Sequence, residues 1–166
     1  LDDLVGTLVE ALSSSKLKDN TMLIYSSDHG EMGGSHRLQD KGAFMYEEVM
    51  KVPLLVHWPG KVTNARYKTP VSQVSLLPTL LELADIPSRS EMDMPSLAES
   101  FMGQKAPRKQ PIFGEYNRFY GQLYPVRMVV DGVWKYVHYF GPEGELFDLS
   151  NDPGEMNNLV NSSSRE

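Results

Sequence analysis

Asp28 and His29 stand side by side and are followed at once by Gly30. A carboxylate offers hard oxygen, suited to Ca²⁺, Mg²⁺ or Mn²⁺. Imidazole nitrogen adds a ligand that also suits Mn²⁺ or Zn²⁺. Before them runs Met22-Leu23-Ile24-Tyr25, apolar and β-prone, bounded by Asp19-Asn20 and Ser26-Ser27. Such a run reads as a buried strand of a parallel sheet. In open α/β sheets, ligands bind at the carboxyl ends of strands, which is where this Asp-His pair falls. The other reading of Asp-His-Gly is a plain turn.

The loop that follows holds Gly33, Gly34, His36, Asp40, Lys41 and Gly42, with the His and the Lys five positions apart. Imidazole is the side chain suited to proton transfer near neutral pH, so His36 is a candidate general acid for a leaving alkoxide, or else a solvated loop histidine. Tyr46-Glu47-Glu48 leads into a second strand, Val52-Pro53-Leu54-Leu55-Val56, closed by Trp58-Pro59-Gly60. Glu47 and Glu48 read as a helix start. His57 and His138 lie within strands and read as structural. Tyr116, Arg118, Tyr120 and Arg127 are candidates for a pocket rim.

This ordered combination resembles the formylglycine-dependent sulfatases of the alkaline phosphatase superfamily. In that family a strand ends in Ser-Asp-His-Gly or Ser-Asp-Asn-Gly, and a loop carries Lys-Gly. A Val-Pro-Leu strand ending in Pro-Gly then follows. The resemblance implies that Asp28 and His29 complete a divalent-metal site whose two further aspartates come from an amino-terminal half. Ca²⁺ is the expected ion, with Mn²⁺ or Mg²⁺ as the other choices. It implies that Lys41 holds the sulfate group, with His36 beside it in catalysis and substrate binding. A compact ammonium can approach a sulfuryl oxygen and offset charge developing on the leaving oxygen.

The chain contains no cysteine, which excludes disulfides and thiolate metal sites within it. In the resembled family the nucleophile is a formylglycine made from the first residue of Cys/Ser-x-Pro-x-Arg. The closest string here, Asp85-Ile86-Pro87-Ser88-Arg89, has Asp at that position and reads as chance. Asp2-Asp3 opens an amphipathic helix rather than ending a strand, so its role is to complement the helix dipole. The expectation is therefore a carboxyl-terminal portion of a sulfatase, without its nucleophile and inactive alone.

The positioning elements follow in order. Leu4, Val5, Leu8, Ala11 and Leu12 mark one helical face between Leu1 and Ser15. A second helix starts near Ser75, with Pro78 tolerated in its first turn. Residues 88–110 lack any period and read as an exposed linker. Four strands are then predicted, Ile112–Tyr116, Pro125–Val130, Trp134–Phe140 and Glu145–Leu149. Asp131-Gly132 forms a tight hairpin between the second and third, and Gly141 to Gly144 supply the next turn. The expected fold class is α/β. Residues 1–87 form part of an alkaline phosphatase-like, mostly parallel sheet with helices, and 111–166 a small antiparallel four-stranded subdomain. The ending Glu145-Leu146-Phe147-Asp148-Leu149, Asn151-Asp152-Pro153 and Glu155 to Leu159 matches the resembled family as well.

A length of 166 residues and a net charge of −6 suit one domain of ordinary size with no nucleic-acid surface. No apolar run approaches 18 residues, so no membrane span is expected. The expected partner is a sulfate-ester substrate, the alternative a phosphonate monoester or phosphodiester of the same superfamily. A non-catalytic binding module is the third reading. Cutting strand 21–26 away from sheet neighbours predicts a homo-oligomer of this fragment. The Asn161-Ser162-Ser163 sequon leaves the compartment open.

Overall fold

The computed structural model describes residues 1–88, 91–119, 121–141 and 144–162. In chain order the elements are α1 (Asp2–Ser13), β1 (Leu23–Ser26), α2 (Glu47–Met50), β2 (Leu54–His57), α3 (Leu76–Leu83) and α4 (Ala98–Phe101). β3 (Ile112–Phe119), β4 (Gln122–Asp131), β5 (Trp134–Tyr139) and β6 (Glu145–Asp148) complete it. The chain divides into two compact units that take alternating segments. One holds residues 1–26, 53–68 and 73–107, and the other holds 27–52, 69–72 and 108–166.

In the first unit, Asp2 and Asp3 lie in the opening turn of α1, where carboxylates complement the helix dipole. α1 buries none of its residues, and Leu4 and Leu8 are mostly exposed. β1 pairs antiparallel with β2, Leu23 opposite His57 and Ser26 opposite Leu54. The local pairing thus differs from the parallel neighbour expected for β1, and its residues are half-buried rather than buried. The cause lies in the 27–52 connection. Gly30 N–H donates to the Val49 carbonyl at 2.8 Å and Glu31 N–H to Glu48 at 3.1 Å. The two arms of the connection are thereby zipped together, and the chain re-enters beside its exit as in a long hairpin.

α3 begins after a single 3₁₀ turn at Gln73–Ser75, and Pro78 falls in its first turn, where a missing N–H costs nothing. Thr79 is fully buried. Its hydroxyl donates to the Ser75 carbonyl at 2.6 Å and accepts the Leu97 N–H at 2.8 Å, tying α3 to the start of α4.

The second unit carries the expected four-stranded antiparallel sheet in the order β3-β4-β5-β6. β3 and β4 run longer than the sequence suggested, to Phe119 and from Gln122. Asp131 pairs with Trp134, so the tight loop between β4 and β5 is Gly132-Val133, one position beyond Asp131-Gly132. Gly132 has φ +61° and Val133 does not go positive. A glycine at the first central position is what a two-residue turn of type II′ demands. One sheet face buries Val126, Met128, Val130 and Val137 against Ala43 and Met45. Those two residues sit just past Lys41, so the loop that carries the lysine is moored to the sheet by apolar burial. The turn expected at 141–144 lies partly outside the described residues.

Candidate functional site

Asp28 follows the end of β1 by two residues and is largely exposed, whereas His29 is half-buried. The His29 Nδ1 lies 2.8 Å from the Gly30 carbonyl oxygen. A carbonyl only accepts, so Nδ1 carries the hydrogen and, in the neutral ring, Nε2 is left with its lone pair. That Nε2 lies 3.5 Å from the Asp28 carboxylate oxygen Oδ2. Two electron-pair donors thus face one another with no proton between them in neutral His29. The backbone fixes the tautomer of a histidine in this way at many metal centres.

Asp28 Oδ1 accepts the His29 N–H at 3.0 Å, and Ser27 Oγ donates to the His29 carbonyl at 2.7 Å. The His29 amide, then the His29 ring, hold the Asp28 carboxyl below its ordinary range, and the Lys41 ammonium adds to the same direction. Lys41 therefore bears electrostatically on the pair. Its own amide is fixed by Asp40 Oδ1 at 2.7 Å, while its side chain is exposed. Among the described residues no three His, Cys, Asp or Glu side chains converge on a metal position. The pair could hold two positions of a divalent cation, the donor set being one carboxylate oxygen and one imidazole nitrogen.

α2 is the backstop of the pair. Its Glu48 and Val49 carbonyls accept Glu31 and Gly30 N–H groups, and a β-carbon added at Gly30 would overlap the Glu48 carbonyl oxygen. Gly30→Ala is expected to force the two arms apart, at a cost of about 1–3 kcal/mol. A thermal melt of the variant, read beside amide exchange at residues 30 and 31, checks this.

His36 lies elsewhere in contact terms. Its backbone is left-handed, with φ +52°, and its ring stacks on Tyr46 with centroids 3.9 Å apart and planes 11° apart. Its Nε2 is buried without a hydrogen-bond partner. The Met156 and Asn157 amides hold the Asp152 carboxyl below its ordinary range, and a protonated His36 ring would add to the same direction. The contact found for His36 is thus the stack on Tyr46, while the Lys41 amide is held by Asp40 and its ammonium acts on Asp28 only through its field.

Arg127 lies on the exposed sheet face, 3.5 Å from Glu115. His57 and His138 are exposed. Tyr116 packs beside the sheet core. The Arg118 side chain and Tyr120 lie outside the described residues.

The sequence reading overlooked a buried ionic cluster. Lys135 has no exposed side-chain area, and its Nζ lies 2.7 Å from Glu155 Oε1 and 3.3 Å from Glu47 Oε1. Glu155 Oε2 accepts the Glu47 N–H, the first amide of α2, at 2.6 Å. Burial pushes the Glu155 carboxyl up, with the Lys135 ammonium opposing. Next to it, Tyr46 donates to Glu145 Oε1 at 3.1 Å and Tyr139 to Glu145 Oε2 at 2.7 Å. The signal was legible in principle. Alternation along β5 puts Lys135 on the face of Val137 and Tyr139, where a charge needs a partner.

Solved structures share this backbone. A 2-O GAG sulfatase superposes with a TM-score of 0.83 at 32% identity, over 96% of this chain and 36% of that one. The phosphonate monoester hydrolase of Agrobacterium radiobacter gives 0.83 at 25% identity, over 98% of this chain and 35% of its own. The fold is thus that of the alkaline phosphatase-like sulfatases, mixed helix and sheet with an antiparallel four-stranded sheet.

The sulfatase YidJ of Escherichia coli K12 is 37% identical over 166 residues, covering 96% of this chain and 32% of the relative. The family model described as N-sulphoglucosamine sulphohydrolase, C-terminal, matches residues 34–166, and the chain belongs to that family of sulfatase carboxyl-terminal domains. It spans about a third of the length of the relatives it matches. His36 and Lys41 fall inside the matched stretch, and Asp28 and His29 just before it.

Proposed function

We propose that this chain supplies half of a divalent-metal site and the anion-holding lysine of an enzyme that hydrolyses sulfate esters. One observation carries the reading. The Gly30 carbonyl fixes the His29 tautomer so that Nε2 presents a lone pair 3.5 Å from Asp28 Oδ2. Two donors arranged this way fit a cation, and Ca²⁺ is the ion we favour, with Mn²⁺ or Mg²⁺ accepted by the same set. A bound cation would polarise the sulfuryl oxygens.

Each of the chain's own residues then has a task. Asp28 and His29 hold the cation. Lys41 braces the sulfuryl oxygens and offsets charge on the leaving oxygen. His36 is the candidate proton donor to the leaving alkoxide, its ring held by stacking on Tyr46. The nucleophile is not among these residues, since neither Cys-x-Pro-x-Arg nor Ser-x-Pro-x-Arg occurs in the chain. The 166-residue chain is accordingly expected to show no turnover of an aryl sulfate with Ca²⁺ or Mn²⁺. A robust metal-dependent rate would overturn the division of labour.

Cation binding is testable without turnover. Mn²⁺ should broaden the NMR signals of residues 28–30, and Asp28→Asn should abolish the effect. Equal broadening in the variant rules out the site. The likeness to a phosphonate monoester hydrolase supports phosphonate esters as the second substrate class. Rates on an aryl sulfate and an aryl phosphonate, measured with the complete enzyme, separate the two.

We also infer that the isolated chain self-associates. β1 and β2 form a two-stranded sheet with no further strand among the described residues, and Leu4, Leu8 and Leu55 are more than half exposed. Unpaired strand edges beside exposed leucines favour pairing between copies. A clean monomer by light scattering at high concentration would refute this.

A further inference from the structure

α2 is a single turn of four residues, far too short to hold its shape unaided. Its Ncap, Tyr46, makes no side-chain capping bond to the helix. The first helical amide is instead capped from 108 residues away, by Glu155. Glu155 in turn is held by Lys135, and both side chains have no exposed area. Burying two charges costs more than burying apolar groups of similar volume, so such a pair is weak evidence for stability. What this one does is fix a place. Glu155 pins Glu47, and the next residues, Glu48 and Val49, carry the carbonyls that receive Glu31 and Gly30. Gly30 carries the carbonyl that sets the His29 ring.

We propose that Glu155 is a positioning residue for the Asp28–His29 pair, acting through α2 and kept in register by Lys135. The proposal rests on the reading of that pair as a metal site, and it deepens it. The tail that contains Glu155 is itself locked, because Asp152 accepts the Met156 and Asn157 amides at 3.1 and 2.8 Å. The path from tail to site therefore runs through the buried Glu155 side chain, the α2 backbone and the hydrogen bonds to Gly30 and Glu31, with Lys135 holding Glu155 from the side. Its two ends are Glu155 Oε2 and His29 Nε2.

The test separates placing from stabilising. Glu155→Leu combined with Lys135→Met removes both charges and refills the volume, so the melting temperature should return to that of the native chain or above it. The Glu47 amide stays uncapped in that variant. Amide exchange at Gly30 and Glu31 should then speed up about tenfold or more, while the amides pairing β4 with β5 keep their protection. The ¹⁵N shifts of the His29 ring should move toward a mixture of tautomers, and Mn²⁺ affinity should fall roughly tenfold.

Glu155→Gln keeps an oxygen for the Glu47 amide but leaves Lys135 with only Glu47, so it should cost global stability while exchange at 30 and 31 stays in its native ratio to that of the β4–β5 amides. The proposal is overturned if the stable double variant keeps native exchange and a native His29 tautomer. It is equally overturned if Glu155→Gln speeds exchange at 30 and 31 relative to the β4–β5 amides as much as the double variant does. Should the native chain bind no Mn²⁺ at residues 28–30, the metal reading fails by itself. The exchange rates and ring shifts would still decide the role of Glu155.

Discussion

Replacing Lys135 by methionine alone should lower the melting temperature of this chain by roughly 10 °C. The lysine and Glu155 are both without exposed side-chain area and lie 2.7 Å apart. Removing one member leaves the other charged group in the interior, and such a loss costs about 3–5 kcal/mol. In a chain of this length each kcal/mol moves the midpoint by about 2–4 °C. The Glu47 carboxylate, 3.3 Å from the same ammonium, adds to the loss rather than relieving it, because two acids are then left near one another. Differential scanning calorimetry reads the effect. A shift of a degree or less would mean that water already screens the cluster.

The second large effect is catalytic and leaves stability untouched. Lys41→Ala should slow the complete enzyme about ten- to a hundredfold. A charge-assisted hydrogen bond to a sulfuryl oxygen is worth roughly 1.5–3 kcal/mol, and each 1.36 kcal/mol is a factor of ten in rate. The Lys41 side chain is exposed, so its melting temperature should not move beyond the usual range for surface changes. A near-normal kcat/KM refutes the assigned role. On the isolated chain, inorganic sulfate should shift the Lys41 Nζ signals, and Asp40, whose carboxylate holds the Lys41 amide at 2.7 Å, should respond with it.

Much of the architecture was written in short-range pattern. The apolar spacing of Leu4, Val5, Leu8 and Leu12 announced α1, and the alternation through Trp134–Tyr139 announced β5. Pattern could not say with which strand β1 would pair. That depends on Gly30 and Glu31 meeting Glu48 and Val49, a contact between residues some twenty positions apart. The turn after β4 slipped by one because Gly132, not Asp131, takes the positive φ.

At the candidate site, residue types sufficed to single out Asp28, His29, His36 and Lys41. The sequence carries no record of a tautomer, nor of the stacking of His36 on Tyr46. The ionic cluster escaped notice for a different reason. Glu155 reads as one more acid in a polar tail, and only folding puts it against a lysine twenty residues earlier in the chain.

The capping of α2 by so distant a residue bears on how the protein comes off the ribosome. Glu47 is translated 108 residues before its cap, and at about 5–20 residues per second the wait is roughly 5–20 s. Throughout that interval the Asp28–His29 turn has no fixed backing, and Lys135, once made, has no Glu155. Nascent chains halted before residue 155 should therefore be recognised by chaperones and cut readily by proteases within 27–52, and emergence of Glu155 should end both at once.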